Sequence, residues 1–209
     1  MWAEEARARM VERQLRRRGI EDERVLEAMA RVPRELFVPA ELREDAYADA
    51  ALPIGDGQTI SQPFMVALIC ELLALRGHER VLDVGTGSGY QAAVLAELAA
   101  EVHTIERLPT LAERARASLA DAGYEGRISL HVGDGTRGLP EHAPFAAIAI
   151  AAATRDLPET LYEELELRGR LVLPLGGGEG QRLEVIVRTP EGPATLRGVF
   201  CRFVPLVAE

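Results

Sequence analysis

With 209 residues, 47% of them hydrophobic, the chain is long enough to bury one α/β core with added elements and short for two independent domains. A formal net charge of −9 argues against nucleic-acid binding that works mainly by neutralising phosphates. The 24 basic residues are all arginine and asparagine is absent, as a GC-rich coding sequence would give.

The start of the chain has no apolar core of signal-peptide type, and no uninterrupted apolar run reaches membrane length. Cys70 and Cys201 lie in apolar surroundings and read as buried thiols of a reducing compartment. Together these features predict a cytoplasmic protein with no membrane partner. A monomer is expected, and no metal.

In chain order, residues 1–18 form a helical pattern with Met10, Val11 and Leu15 at helical spacing, stopped by Gly19. The Arg16–Arg18 run reads as a solvated helix face. Asp22 is a candidate N-cap for a second helix with a stripe of Val25, Leu26, Met29 and Ala30. Pro33 and Pro39 bracket a turn, followed by a short acidic helix and an irregular stretch, LPIGDGQTISQP. Pro63 suits the first turn of an apolar helix with Ser61 or Gln62 near its cap.

After Gly77 strands and helices alternate: RVLDVG, then a helix; EVHTIE, then a helix carrying Leu108, Leu111, Ala115 and Leu119; RISLHV; FAAIAIAAA; a helix; and GRLVLPLG. The tail reads as two strands around PEGP, the second running through RFVPL. The pattern predicts an α/β fold, a doubly wound and mostly parallel sheet of Rossmann-like type with an added N-terminal helical segment. Ligands are expected at the carboxyl ends of the strands. The chain reads as a single unit over 1–209. Within it, 1–76 would form N-terminal helices and a substrate loop, 77–178 the cofactor-binding core, and 179–209 strands contributing to the substrate site.

The sequence DVGTGSGY follows a strand and opens a helix. Gly85, Gly87 and Gly89 allow a sharp turn and close approach to a ligand, with Thr86 between the first two. Their spacing is Gly-x-Gly-x-Gly, not the dinucleotide fingerprint. Glu106 ends the second strand, where a carboxylate can accept both ribose hydroxyls. Asp134, after the third, is placed for the exocyclic amine of an adenine, with the Gly135 or Thr136 backbone facing the ring. An adenosine ligand without pyrophosphate fits better than NAD.

This constellation resembles the class I methyltransferases, whose cofactor is S-adenosyl-L-methionine. In that family the acid before the glycines, here Asp83, lies near the methionine ammonium. Another acceptor, a nicotinamide-dependent activity, or an adenosine-binding protein without activity are the competing readings. The segment after strand four, AIAAATRD, offers no His, Cys or Asn/Asp-Pro-Pro group to activate an acceptor. An acceptor that arrives ionised needs none, and a carboxylate with pKa of about 4 is such a group.

The stretches GQTISQPFMVA, VPRELFVP, DVGTGSGYQAAVLAEL, TIER, GDG and RFVPL are similar to those of the protein-L-isoaspartate O-methyltransferases. The resemblance runs in order from about Met10 to Leu206. It implies repair of damaged proteins and peptides by methylation of the α-carboxylate of L-isoaspartyl residues, leading through a succinimide toward normal aspartate. It puts Ser61 at the junction of cofactor and substrate, where its hydroxyl would orient the acceptor. Thr59, Ile60 and Gln62 would shape the loop closing over it, and Val204, Pro205 and Leu206 would hold the substrate backbone. Asp56 stands where many similar bacterial sequences carry His, and Ala146 where they carry an acid. Asp56 is expected to bring negative charge near the acceptor site.

Overall fold

A computed structural model of the protein describes residues 2–177 and 180–207. The boundary expected between 178 and 179 lies outside the described residues, as do Met1 and the last two positions. The first predicted helix is divided. Helix α1 spans Trp2–Met10, wider turns cover Val11–Leu15, and tight ones Arg16–Arg18. Gly19 ends the run at φ +96°, a left-handed conformation that costs glycine little. Met10, Val11 and Leu15 are buried as their spacing requires. The arginine run is exposed: Arg16 and Arg17 pair with Glu12, Arg16 also with Glu23, and Arg18 with Asp49.

Helix α2 spans Glu23–Arg31, with the Asp22 side chain accepting from the Arg24 amide at 2.9 Å. Its buried stripe is Val25, Leu26, Ala28 and Met29. Ala30, expected in that stripe, is exposed, and Ala28 is buried in its place.

The stretch expected to be irregular contains a hairpin. Strand β1 (Leu52–Gly55) pairs with β2 (Gln58–Ile60) across Asp56-Gly57. Both turn residues have positive φ, +52° and +70°, as the tight two-residue hairpin turn demands. Helix α3 (Pro63–Leu73) follows, with Pro63 in its first turn and Gln62 at the N-cap position.

The remaining strands make one seven-stranded sheet: β3 (Arg80–Val84), β4 (Glu101–Glu106), β5 (Ile128–Val132), β6 (Phe145–Ile150), β7 (Leu165–Leu175), β8 (Arg182–Thr189) and β9 (Gly192–Phe200). Their order is β5-β4-β3-β6-β7-β8-β9. Strands β3 to β7 pair in parallel, while β8 and β9 fold back antiparallel. This is the doubly wound, mostly parallel sheet predicted. Its order reverses between β3 and β6, and a crevice opens there at the carboxyl ends.

Alternation along β3, β6 and β7 sends side chains into two cores. Val81, Ala147, Ala149 and Val172 join a large cluster with α2, α3, α4 (Tyr90–Ala96) and α5 (Pro109–Asp121). Leu82, Val84, Ile148, Ile150, Leu171 and Leu173 face the other way, under the short α6 (Glu159–Glu163) and the β5–β6 crossover. None of the helices among the described residues is long and apolar enough to cross a membrane.

The second tail strand ends at Phe200, earlier than its alternating pattern predicts. Residues 201–207 leave the sheet, and Val204 to Val207 return to the crevice. Gln181 causes the departure: its amide grips Phe203 at both backbone groups, at 2.7 and 3.2 Å.

Candidate active site

Three loops and two added segments meet at the crevice. After β3 the backbone turns sharply, with the Gly85 and Thr86 amides donating to the Ile105 carbonyl at 2.9 and 3.2 Å. Thr86 also bonds Thr104 through their hydroxyls at 2.6 Å. Gly89 caps α4 at φ +91°, where a Cβ would press on Leu119 at 3.2 Å. Thus Gly89 serves loop packing, while Gly85, Thr86 and Gly87 line the cleft.

Glu106 closes β4 and is buried at the cleft wall. One of its oxygens accepts from the Gly87 amide at 2.9 Å and the other from the Leu108 amide at 3.0 Å. Each carboxylate oxygen has a second lone pair, so both can still accept from a ligand. The carboxylate therefore fixes the glycine loop and presents an acceptor edge at once.

Asp83 is fully buried and does not line the cleft. Its oxygens accept from Gln91 Nε2 at 2.7 Å and Thr104 Oγ1 at 3.0 Å. Burial raises its pKa to about 7 against those two hydrogen bonds, with the nearby Glu106 charge adding to the rise. The native carboxyl thus holds a proton to about pH 7 that the unfolded chain releases near pH 4. Folding stability is expected to fall as pH rises between those values and to level off above them. Melting of wild type and Asp83→Asn across that range checks this. A difference between the two that stays constant with pH would remove Asp83 as its source.

Asp134 lies behind Gly135 rather than in the cleft. Its Oδ1 accepts from the Thr136 amide at 2.9 Å and hydroxyl at 2.7 Å, capping the turn at Gly135–Arg137. Gly135 does line the cleft, and glycine is required there because a Cβ would stand 2.6 Å from Val84 Cγ1.

The hairpin forms the opposite wall. A Cβ on Gly87 would meet Ile54 Cδ1 at 3.5 Å, so the hairpin packs directly over the glycine loop. Thr59, Ile60 and Ser61 line the cleft, while Gln62 turns to Asp49, donating to its Oδ1 at 2.8 Å. Ser61 does not cap α3, since Gln62 occupies that position. Its hydroxyl has no hydrogen-bond partner among the described residues. Asp56, at the hairpin tip, pairs with Arg114 and is absent from the cleft lining, so its charge is spent away from the site.

Arg34 fastens this wall. It is fully buried, donating through Nε to the Ala46 carbonyl at 2.6 Å and through Nη2 to the Ser61 carbonyl at 2.9 Å. Its guanidinium lies 4.9 Å from the Tyr90 ring centroid, and Tyr90 lines the cleft. Burial lowers its pKa to about 10, which leaves it charged at neutral pH. The tail closes the remaining side. The Ala153 amide donates to the Val204 carbonyl at 2.7 Å and the Leu206 amide to the Ala153 carbonyl at 2.8 Å, placing Val204, Pro205 and Leu206 on the cleft.

A second groove adjoins the cleft and shares Thr59, Ser61, Ala151 and Val204 with it. Arg18, Phe64, Phe200 and Arg202 line its outer part. Cys201 lines it too, but burial pushes its thiol to about 11 and leaves it protonated at neutral pH. Of the residues expected at the site, Gln62 lies in this groove and Asp83, Gly89 and Asp134 stand behind the cleft surface. Reasoning from sequence missed Arg34, Gln91 and Gln181 as positioning residues. Arg34 sits inside VPRELFVP, which is its one signal, whereas a lone glutamine carries none.

The family model for protein-L-isoaspartate(D-aspartate) O-methyltransferase (PCMT) matches residues 5–209. A protein-L-isoaspartate O-methyltransferase of Methanoculleus marisnigri is 53% identical over 204 residues, covering 97% of this chain and 92% of its own. One from Hyperthermus butylicus is 50% identical over 219 residues, covering 100% and 91%. Among solved structures, one from Plasmodium falciparum, described as in complex with S-adenosyl-L-homocysteine, superposes with a TM-score of 0.84 at 27% identity. The match covers 96% of this chain and 98% of that one. Another protein-L-isoaspartate O-methyltransferase gives a TM-score of 0.85 at 26% identity, covering 95% of this chain and 65% of that one. From its sequence and its fold alike, the chain belongs to the protein-L-isoaspartate(D-aspartate) O-methyltransferase family.

Proposed function

We propose that the chain transfers a methyl group from S-adenosyl-L-methionine to the α-carboxylate of L-isoaspartyl residues in damaged proteins and peptides, with Ser61 orienting that carboxylate. The observation that carries the assignment of Ser61 is the junction itself. The cleft and the groove meet at Ser61, its hydroxyl has no partner among the described residues, and no histidine lines either cavity. An acceptor that must first lose a proton would find no imidazole there to take it. An ionised carboxylate needs only placement.

The cleft suits the cofactor. Gln91 lines it, and Gln91 Oε1 is buried without a hydrogen-bond partner. Asp83 holds the Gln91 amide by its nitrogen and so aims that oxygen as an acceptor for an ammonium. Glu106 would take the ribose hydroxyls on its unused lone pairs, with Gly135 and the turn capped by Asp134 at the adenine end. Gly85, Thr86 and Gly87 would border the middle. When bound, the cofactor supplies a methyl group already activated on a sulfonium, so the protein need not protonate a leaving group.

On the acceptor side, Thr59 to Ser61 would clamp the carboxylate, and Val204 to Leu206 would align the peptide backbone beside Ala153. The groove beyond, with Phe64 and Phe200 among Arg18 and Arg202, offers room for flanking residues. In this reading 1–76 and 179–209 supply the substrate side of one unit, and 77–178 the cofactor side. The enzyme works as a cytoplasmic monomer without nucleic acid, in keeping with its net charge of −9.

Two synthetic peptides that differ only in isoaspartate or aspartate at one position test this. Incubated with methyl-labelled S-adenosyl-L-methionine, the isoaspartyl peptide alone is expected to gain base-labile label. Equal label on both, or none on either with cofactor binding intact, would refute the acceptor assignment.

A further inference from the structure

Away from the cleft, three histidines converge where the sheet face carries no long helix. His103 lies on β4, His131 on the edge strand β5, and His142 in the β5–β6 crossover. That crossover contains no helix beyond the single turn at Gly135–Arg137. One nitrogen from each ring lies within 4.8 Å of the others, and His103 Nδ1 is 3.1 Å from His131 Nε2. A tetrahedral ion with metal–nitrogen bonds of about 2.0–2.1 Å sets neighbouring nitrogens about 3.4 Å apart. The three nitrogens thus stand close to that geometry, with no separation more than about 1.4 Å beyond it.

The second nitrogen of His103 supplies an independent observation. Nε2 meets Glu101 Oε1 at 2.9 Å, and Glu101 Oε2 accepts from Arg80 Nε at 2.8 Å. A carboxylate only accepts, so His103 carries its proton on Nε2 and presents the Nδ1 lone pair to the cluster. A carboxylate behind an imidazole is the outer-shell arrangement that orients metal-bound histidines. His103 is 3% exposed, while His131 and His142 are half-buried and leave the cluster open to solvent.

We propose that His103, His131 and His142 bind one divalent transition-metal ion of the zinc type, with water completing the coordination. Imidazole nitrogens suit Zn²⁺, Co²⁺, Ni²⁺ and Cu²⁺ over the hard cations. Without an ion, His131 Nε2 donates its proton to His103 Nδ1. On coordination that proton moves to His131 Nδ1, so both rings stay neutral and no proton is released. The ion would tie the helix-free crossover to the sheet edge. None of the three rings lines the cleft or the groove, so the site is separate from methyl transfer. The widely separated histidines have no ligand spacing in the sequence, which is why no metal is expected from it.

The test titrates the full chain, stripped with a chelator, with Zn²⁺ by calorimetry and with Co²⁺ by visible absorption. One ion per chain is expected. The melting temperature is expected to rise by about 5–10 °C at free metal a hundredfold above Kd. His131→Ala and His142→Ala should each abolish the tetrahedral Co²⁺ bands while their circular dichroism stays native. Glu101→Gln, which keeps all three ligands, should weaken binding about 10–100-fold. His78→Ala, which removes the fourth histidine of the chain, should leave binding unchanged. No saturable binding, or binding that survives the double variant of His131 and His142, would overturn the site.

Discussion

Arg34→Met is expected to lose about 2–4 kcal/mol of folding stability and to transfer methyl groups poorly even when folded. Methionine fills much of the space but donates nothing. The Ala46 and Ser61 carbonyls would then be buried without their donors at 2.6 and 2.9 Å. Relief of the desolvation that depresses the arginine pKa offsets only part of that loss. Because the Ser61 carbonyl is one of the two anchors, the acceptor loop loosens along with the fold. Arg34→Lys separates the two effects. A single ammonium cannot span both carbonyls in the geometry of a planar guanidinium, so stability recovers further than turnover. Urea unfolding beside steady-state kinetics at a temperature where each variant is folded makes the measurement. If Arg34→Met matched wild type in both, Arg34 would hold neither the fold nor the loop.

Ser61→Ala is expected to lower kcat/KM for an isoaspartyl peptide about 10–100-fold, the worth of a hydrogen bond to a charged group. Affinity for the cofactor is expected to change by less than about twofold, because the alanine keeps the backbone contact to Arg34. The split matters more than either number. A role in shaping the cofactor cleft would weaken cofactor binding in parallel, which calorimetry with S-adenosyl-L-homocysteine would reveal. Full turnover by the variant would show that the acceptor carboxylate is placed by something else.

Asp56 shows how far a charge read from sequence depends on its surroundings. By position it threatens a carboxylate-binding site, yet at the hairpin tip it meets Arg114 from α5, whose guanidinium also holds the Ile54 carbonyl at 3.0 Å. The hairpin itself was legible in principle, since Asp-Gly between short extended runs is a strong turn signal. Pro53 and strands of four and three residues obscured it.

The sequence by itself determined the alternating strands and helices of the core, the parallel sheet and the glycine loop between β3 and α4. It also determined the capped start of α2. Each follows from neighbours along the chain, through side-chain period, glycine at positive φ and side-chain caps. The tertiary structure alone decided which residues face the ligand. Gln91 came between Asp83 and the cleft, Gln181 pulled the tail off β9, and Arg34 fastened the acceptor loop from a distance of 27 residues. It also brought His103, His131 and His142 together from two strands and a crossover. These outcomes depend on strand register and burial between distant segments, where a single hydrogen bond to a buried carbonyl outweighs local preference.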